Sequence, residues 1–321
     1  MKKWFLFLLL LFLISCQENV SSNPHIALVV PLSGPLSKWG NACQKAVHLA
    51  LEYSKIKLVT FDNEGNLDKT KKIFLSLAKN KDIIAVIGPL RCDCLEEVLP
   101  VIKKVNLPVL SPGCFENFSL VTDGWAIPIL SIEEEIKIIA DYINKKNLSW
   151  GIFLENNSWA KSISDCLIEA IKIPPVFKKK ISPLNILDFK KLSQIIVIIT
   201  DPETAGLIVF QIRNSDVTFL GLHYLLDPIF LSTAGTTKNI LITIPTLSRK
   251  IQKKFEKAFL SRYYNLPHWV ASCAYVAADG ILRSKKLTRK GVKKCLKNYK
   301  FPIKFLLKEI KSVGEEGRIL F

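Results

Sequence analysis

The sequence predicts an α/β protein made of two doubly wound lobes, each a parallel sheet covered by helices. Three observations carry this. Short runs rich in β-branched residues alternate with amphipathic stretches, the runs are apolar almost throughout, and the alternation breaks near 124–130 and then resumes. Continuous apolar runs are the mark of strands buried on both faces, which is how parallel sheets occur. The first strands are read at Ile26–Val30, Leu58–Phe61, Ile83–Ile87 and Val109–Leu110. Between them, Ala42, Ala46, Ala50 and Tyr53 fall on one helical face, as do Ile73, Phe74 and Leu77 in the next segment.

The second series opens at Ser131, which with Glu134 forms a capping-box pattern starting a helix that runs to Lys146. Strand Trp150–Leu154 follows. Further on, strand Ile195–Thr200 runs into Asp201-Pro202-Glu203, where Asp is the expected N-cap and Pro the first helical residue. No solenoid repeat or low-complexity tract interrupts this order.

The beginning of the chain reads differently. Lys2 and Lys3 precede an apolar run from Trp4 to Ile14, then Ser15-Cys16. A charged start, a short apolar stretch and a small-residue cleavage site form a secretory signal, and the run falls short of the roughly 20 apolar residues that span a bilayer. Leu13-Ile14-Ser15-Cys16 resembles the bacterial lipobox, which implies cleavage before Cys16 and a lipid on its thiol. Residues 1–15 are then a signal peptide and 16–24 a tether, of which Gln17 to Pro24 reaches at most about 28 Å when extended. The protein is expected to be exported and lipid-anchored at the cell envelope.

Removing Lys2 and Lys3 lowers the formal charge from +17 to +15. The lysines read as solvated faces spread along the chain, and export makes nucleic acid an unexpected partner. With Cys16 taken by lipid, seven of the eight cysteines remain, an odd number that leaves at least one thiol free or paired between molecules. No Cys-x-x-Cys pair or His cluster suggests a metal, no cofactor is expected, and none of the four histidines supplies a base for a cysteine nucleophile. An enzyme is not expected.

Ile26-Ala27-Leu28-Val29-Val30-Pro31-Leu32-Ser33-Gly34-Pro35, followed by Gly40 and Ala46, resembles the opening of the branched-chain amino acid binding proteins of ABC importers. The similarity continues through Phe61–Asn66, Val86-Ile87-Gly88-Pro89, Pro108–Pro112, Asp201–Ala205, Trp269–Ala278 and Gly317–Phe321. It implies a type I periplasmic-binding fold with three crossovers, one lobe at 25–127 plus 246–302 and the other at 128–245 plus 303–321. It further implies a ligand held between lobes by hinge closure, beyond the carboxyl ends of the strands.

The same resemblance points to the loop residues expected to meet the ligand, and several depart from the family pattern. Arg91, Cys92 and Asp93 follow the third strand, with Cys92 where a serine is usual; a thiol is the weaker donor. Gly113, Cys114 and Phe115 follow the fourth, and Ala126 stands where an arginine is common. Trp159 is a candidate stacking surface in the second lobe, and His223 and Asp227 are candidates for a ligand ammonium. A helix starting near Cys94 would offer free N–H groups to an anion. Cys92 or Cys94 could instead pair with Cys114, stapling the loops. Two functions stay open. One is a lipid-anchored receptor delivering a small polar or amino-acid-like ligand to an ABC permease. The other is a lipoprotein of the same fold with a lost pocket that regulates a partner, for example in cell-wall synthesis.

Overall fold

The computed structural model describes residues 23–114, 122–181, 193–313 and 319–320. Its contacts divide into a first unit, up to Leu130 with Arg249–Pro302, and a second, Ser131–Ser248 with the chain from Ile303. Parallel-dominated sheets in both units make this a two-lobed α/β protein.

In the first unit, β1 (His25–Val30), β2 (Lys57–Asp62), β3 (Ile83–Ile87), β4 (Val109–Ser111) and β5 (Ala126–Pro128) form a sheet in the order β2-β1-β3-β4-β5. All its pairings are parallel. Every residue of β3 is at most 1 % exposed, and full burial of each isoleucine contributes about 2 kcal/mol. Helices α1 (Ser37–Leu51), α2 (Leu67–Lys79) and α3 (Cys92–Val105) connect the strands. On α1 the buried face is Cys43, Ala46, Val47 and Leu51. Tyr53, expected on that face, lies beyond the helix and is 96 % exposed, because the helix ends at Leu51, two residues earlier than the periodicity suggested. Three later helices complete this unit: α8 (Arg249–Tyr263), α9 (Trp269–Leu282) and α10 (Arg289–Lys297).

Helix α9 is buried nearly all round and packs on α1. Arg289, at the start of α10, donates to four carbonyls: Ile83 O at 2.9 Å, Val105 O at 3.1 Å, Asn80 O at 2.7 Å and Leu77 O at 3.4 Å. It thereby adds a donor to the carbonyls where α2 and α3 end, two of which also accept a backbone N–H.

The second unit holds α4 (Ile132–Lys146), β6 (Trp150–Leu154), α5 (Ser158–Ala170), β7 (Phe177–Lys180), β8 (Ile195–Ile199) and α6 (Pro202–Ile212). It continues with β9 (Thr218–Gly221), a 3-10 turn (His223–Leu226), α7 (Pro228–Ala234), β10 (Ile240–Leu247) and β11 (Ile303–Glu309). The sheet order is β11-β10-β9-β8-β6-β7, antiparallel only between β10 and β11. The expected caps are present: Ser131 Oγ accepts from Glu134 N at 3.3 Å, and Asp201 from Thr204 N at 2.9 Å. The unit boundary falls after Ser248 because β10 continues unbroken to Leu247 against β11. Pro245 is tolerated within β10 because β9 pairs only as far as Ile242, so no neighbour on that side awaits its missing N–H. A two-stranded pair, β12 (Ser312–Val313) with β13 (Ile319–Leu320), follows.

Candidate functional site

Open parallel sheets bind ligands beyond the carboxyl ends of their strands, and in the first unit that edge is heavily cross-linked. The Asp62 carboxylate, at the end of β2, accepts from Leu32 N at 2.8 Å, Ser33 Oγ at 2.7 Å and Glu64 N at 2.9 Å. Partial burial pushes its pKa up, but these three donors win and hold it at about 2. Ser111 Oγ donates to Pro89 O at 2.6 Å and accepts from Cys114 N at 3.2 Å. The loops after β3 and β4 are therefore bonded to each other.

Cys92 and Cys114 form a disulfide, with Cα atoms 5.1 Å apart. Neither thiol is then available as a donor to a ligand. Cys94, the other candidate for that bond, is buried two residues further along α3, and its Sγ lies 3.7 Å from Gly65 O. Two glycines allow the loops to come this close. A Cβ at Gly88, where φ is +105°, would sit 2.0 Å from Val29 O, and one at Gly113 would sit 2.6 Å from Leu90 O.

The N-terminus of α3 points its first-turn amides at this edge, and N-cap Arg91 provides no side-chain cap. Its guanidinium instead forks onto the Asp93 carboxylate: Nε reaches Oδ1 at 2.9 Å and Nη2 reaches Oδ2. The Asp93 hydrogen bond raises the Arg91 pKa. Asp93 Oδ1 also accepts from Cys94 N at 2.7 Å. The helix thus carries its own carboxylate in its first turn, which offsets part of its attraction for an external anion. Phe115 and Cys16 lie outside the described residues. Ala126 begins β5 and is fully buried.

In the second unit the expected residues separate. Trp159, at the start of α5, stands edge-on to Tyr224 with ring centroids 5.1 Å apart. Tyr224 Oη lies 3.3 Å from Ile198 O, so this half-buried pair covers the carboxyl end of β8. Tyr224 carried no sequence signal, since only the fold brings the turn after β9 to α5. His223 is withdrawn into the interior at 1 % exposure. The fully buried Glu135 accepts from His223 N at 2.7 Å and meets His223 Nδ1 at 2.9–3.0 Å, and Thr243 Oγ1 bonds the same carboxylate. This hub ties α4, the 3-10 turn and β10 together and offers nothing to solvent. Asp227 caps α7, accepting from Ile229 N at 2.9 Å. Among the described residues no cluster of His, Cys, Asp or Glu is arranged to hold a metal.

A family model described as periplasmic binding protein matches residues 24–319. Among solved structures, one similar to this chain is the branched-chain amino acid transporter substrate-binding protein LivJ from Streptococcus pneumoniae in complex with isoleucine. It is 22 % identical, covering 86 % of this chain and 88 % of that one, with a TM-score of 0.74. The leucine-binding protein LivK from Thermotoga maritima is 17 % identical over 85 % and 87 % of the two chains, with a TM-score of 0.70. An ABC transporter solute-binding protein from R. palustris, in complex with benzoate, is 14 % identical over 93 % and 95 %, with a TM-score of 0.74. No curated protein matches the sequence.

Proposed function

This chain belongs to the periplasmic binding protein family, and from that membership we propose that it is a lipid-anchored receptor for a small polar or amino-acid-like solute, serving an ABC importer. The family implies an extracytoplasmic location, and the lipobox-like Leu13–Cys16 supports the anchor. The observation that carries the receptor reading is the preformed carboxyl edge of the first unit. Asp62, Ser111 and the Cys92–Cys114 bond fix its loops before any ligand arrives. A fixed edge lowers the ordering cost of binding. Arg91, Asp93, Gly113 and the aromatic wall of Trp159 with Tyr224 are the groups proposed to meet the ligand. Cys92 and Cys114 act by holding the loops, Asp227 by capping, and His223 by packing.

The placement of Asp93 favours a second reading. A carboxylate already seated in the first turn of α3 opposes the binding of a ligand carboxylate there. A protein of this fold that regulates a partner, such as a cell-wall synthase, has no need of that site.

Thermal melting against branched-chain and other amino acids, short peptides, benzoates and small anions separates the two. A ligand at 100 times its dissociation constant adds about 2.7 kcal/mol to stability, a melting shift of several degrees for units of this size. A shift with one chemical class supports the receptor. No shift across the panel, with a cell-wall synthase captured by the purified chain, supports the regulator.

A further inference from the structure

The basic residues, expected to be spread along the chain, are concentrated. Residues 249–302 hold fifteen Lys and Arg against two acidic residues, Glu256 and Asp279, a net +13 out of a formal +17 for the whole chain. Nine of the fifteen fall between Arg283 and Lys300, with no acidic residue among them. This stretch contains α10, and the fold sets α10 in one particular place. Arg289 binds Ile83 O and Asn80 O at the start of β3 and Val105 O at the end of α3. Lys293 Nζ lies 4.2 Å from the ring centroid of Trp125, which immediately precedes β5. Helix α10 therefore runs beneath the amino-terminal edge of the first sheet, at the opposite end of the strands from the loops proposed to meet a ligand.

Other lysines arrive at the same edge because the helix-to-strand connections of a parallel sheet all lie there. Lys57 opens β2, Lys81 precedes β3 and Lys104 ends α3; these three are exposed, as are Lys294 and Lys297 on α10. None of these five enters an ion pair among the described residues. Asp82 and Asp123 are the acidic residues nearest the edge in sequence, two against these five lysines. The described chain also begins here: Pro24 O accepts from Lys57 N at 3.1 Å, and His25 N donates to Asp82 O at 2.9 Å.

We propose that this edge, with α10 beneath it, docks on an anionic phospholipid surface. Two observations select that occupant. A dense positive face is attracted to lipid phosphates at short range, and the described chain begins at that same face, where Pro24 O accepts from Lys57 N. A tether of at most about 28 Å would hold the edge close to whatever membrane receives Cys16. A single acyl anchor binds reversibly, and a polybasic patch is the second signal that makes anchoring stable. Docking by this edge leaves the carboxyl-end loops of the first unit directed away from the lipid. The inference draws on the proposed anchor for orientation, but the charge argument stands without it.

The test uses the chain from Gln17 onward, which retains every described element, carries no lipid, and is mixed with sedimentable vesicles. The probes are vesicles of equal parts phosphatidylglycerol and phosphatidylcholine, and vesicles of phosphatidylcholine alone. Binding is expected to the anionic vesicles only, and to be lost between about 50 and 500 mM salt as the screening length shrinks. Neutralising Lys104, Lys294 and Lys297 to Gln is expected to weaken it roughly 100-fold, from about five-fold per lysine. The same number of changes in the second unit, Lys180→Gln, Lys238→Gln and Lys308→Gln, is expected to leave it within a few-fold. Circular dichroism confirms that both variants fold. The proposal is overturned by no binding to anionic vesicles, by equal loss in the two variants, or by binding to heparin or duplex DNA without vesicle binding. Ligand-induced melting shifts are read separately, so failure here and failure of the receptor reading are distinguishable.

Discussion

Removing the Cys92–Cys114 bond is the perturbation whose cost follows most directly from the structure. The two cysteines are 22 residues apart in sequence. Closing a loop of that size removes about 11 cal/mol/K of entropy from the unfolded chain, or about 3.4 kcal/mol at 25 °C. The bond also joins loops that are already held together by Ser111 Oγ and Pro89 O, so the native state changes little when it is cut. The double variant Cys92→Ser with Cys114→Ala is therefore expected to lose about 3 kcal/mol in urea unfolding of the first unit. Reductant is expected to lower the wild-type midpoint by a similar amount and to leave the variant unchanged. An unchanged wild-type midpoint, with Cys92 and Cys114 both alkylated in the unfolded, unreduced protein, would refute the reasoning.

Arg289→Ala removes the side-chain donor from four carbonyls, of which Leu77 O and Asn80 O keep a backbone donor and Ile83 O and Val105 O lose the guanidinium, and is expected to cost about 3 kcal/mol by denaturant titration. Arg289→Lys should recover only part of this, because a point charge cannot reach four acceptors. Glu135→Ala removes the carboxylate that accepts from His223 N and meets His223 Nδ1, and leaves Thr243 Oγ1 only its 3.4 Å bond to Gly221 O inside the second unit; about 3–5 kcal/mol is expected, with Glu135→Gln, which keeps an oxygen, milder by circular dichroism melting. Acid should weaken the fold in two windows. His268, whose pKa burial lowers to about 4, is neutral in the fold and accepts from Val270 N through Nδ1. The unfolded chain takes up that proton first, so stability is full above about pH 6.5 and falls toward pH 4, by at most about 3 kcal/mol. Asp62, held at about 2, contributes fully above about pH 4 and loses its contribution as pH falls toward 2. Asp62→Asn should reduce the lower window, to which the lowered Asp93 and Asp201 also contribute, and leave the upper one unchanged in a series of melts across pH.

The strands were legible because parallel strands buried on both faces read as unbroken apolar runs, and β3, β6 and β8 lie within a residue of where Ile83–Ile87, Trp150–Leu154 and Ile195–Thr200 placed them. Caps were legible because they are local: Ser131 and Asp201 sit three residues from the amides they bind. What stayed hidden depends on partners distant in sequence. Glu135 looks like one more first-turn acid beside Glu133 and Glu134, yet it faces inward to residues 88 and 108 positions away. His223 therefore passed for a ligand group when it is a core group. The choice between Cys92 and Cys94 was open in sequence; two residues along a helix turn the side chain about 200°, which sends Cys94 toward Gly65. The lysines of 249–302 were read as part of a charge spread along the chain, because their excess gains a meaning only once α10 is placed beneath a sheet edge.

The central claim is that this periplasmic binding protein still binds a small solute. Native mass spectrometry of the chain from Gln17 onward, titrated with the compounds that shift its melting, tests this most directly. A single added mass at one ligand per chain is expected, saturating at about micromolar concentration, with affinity reduced at least ten-fold by Trp159→Ala, a loss of about 1.4 kcal/mol. A chain that stays ligand-free across amino acids, peptides and aromatic acids, purified both natively and after unfolding and refolding, would contradict it.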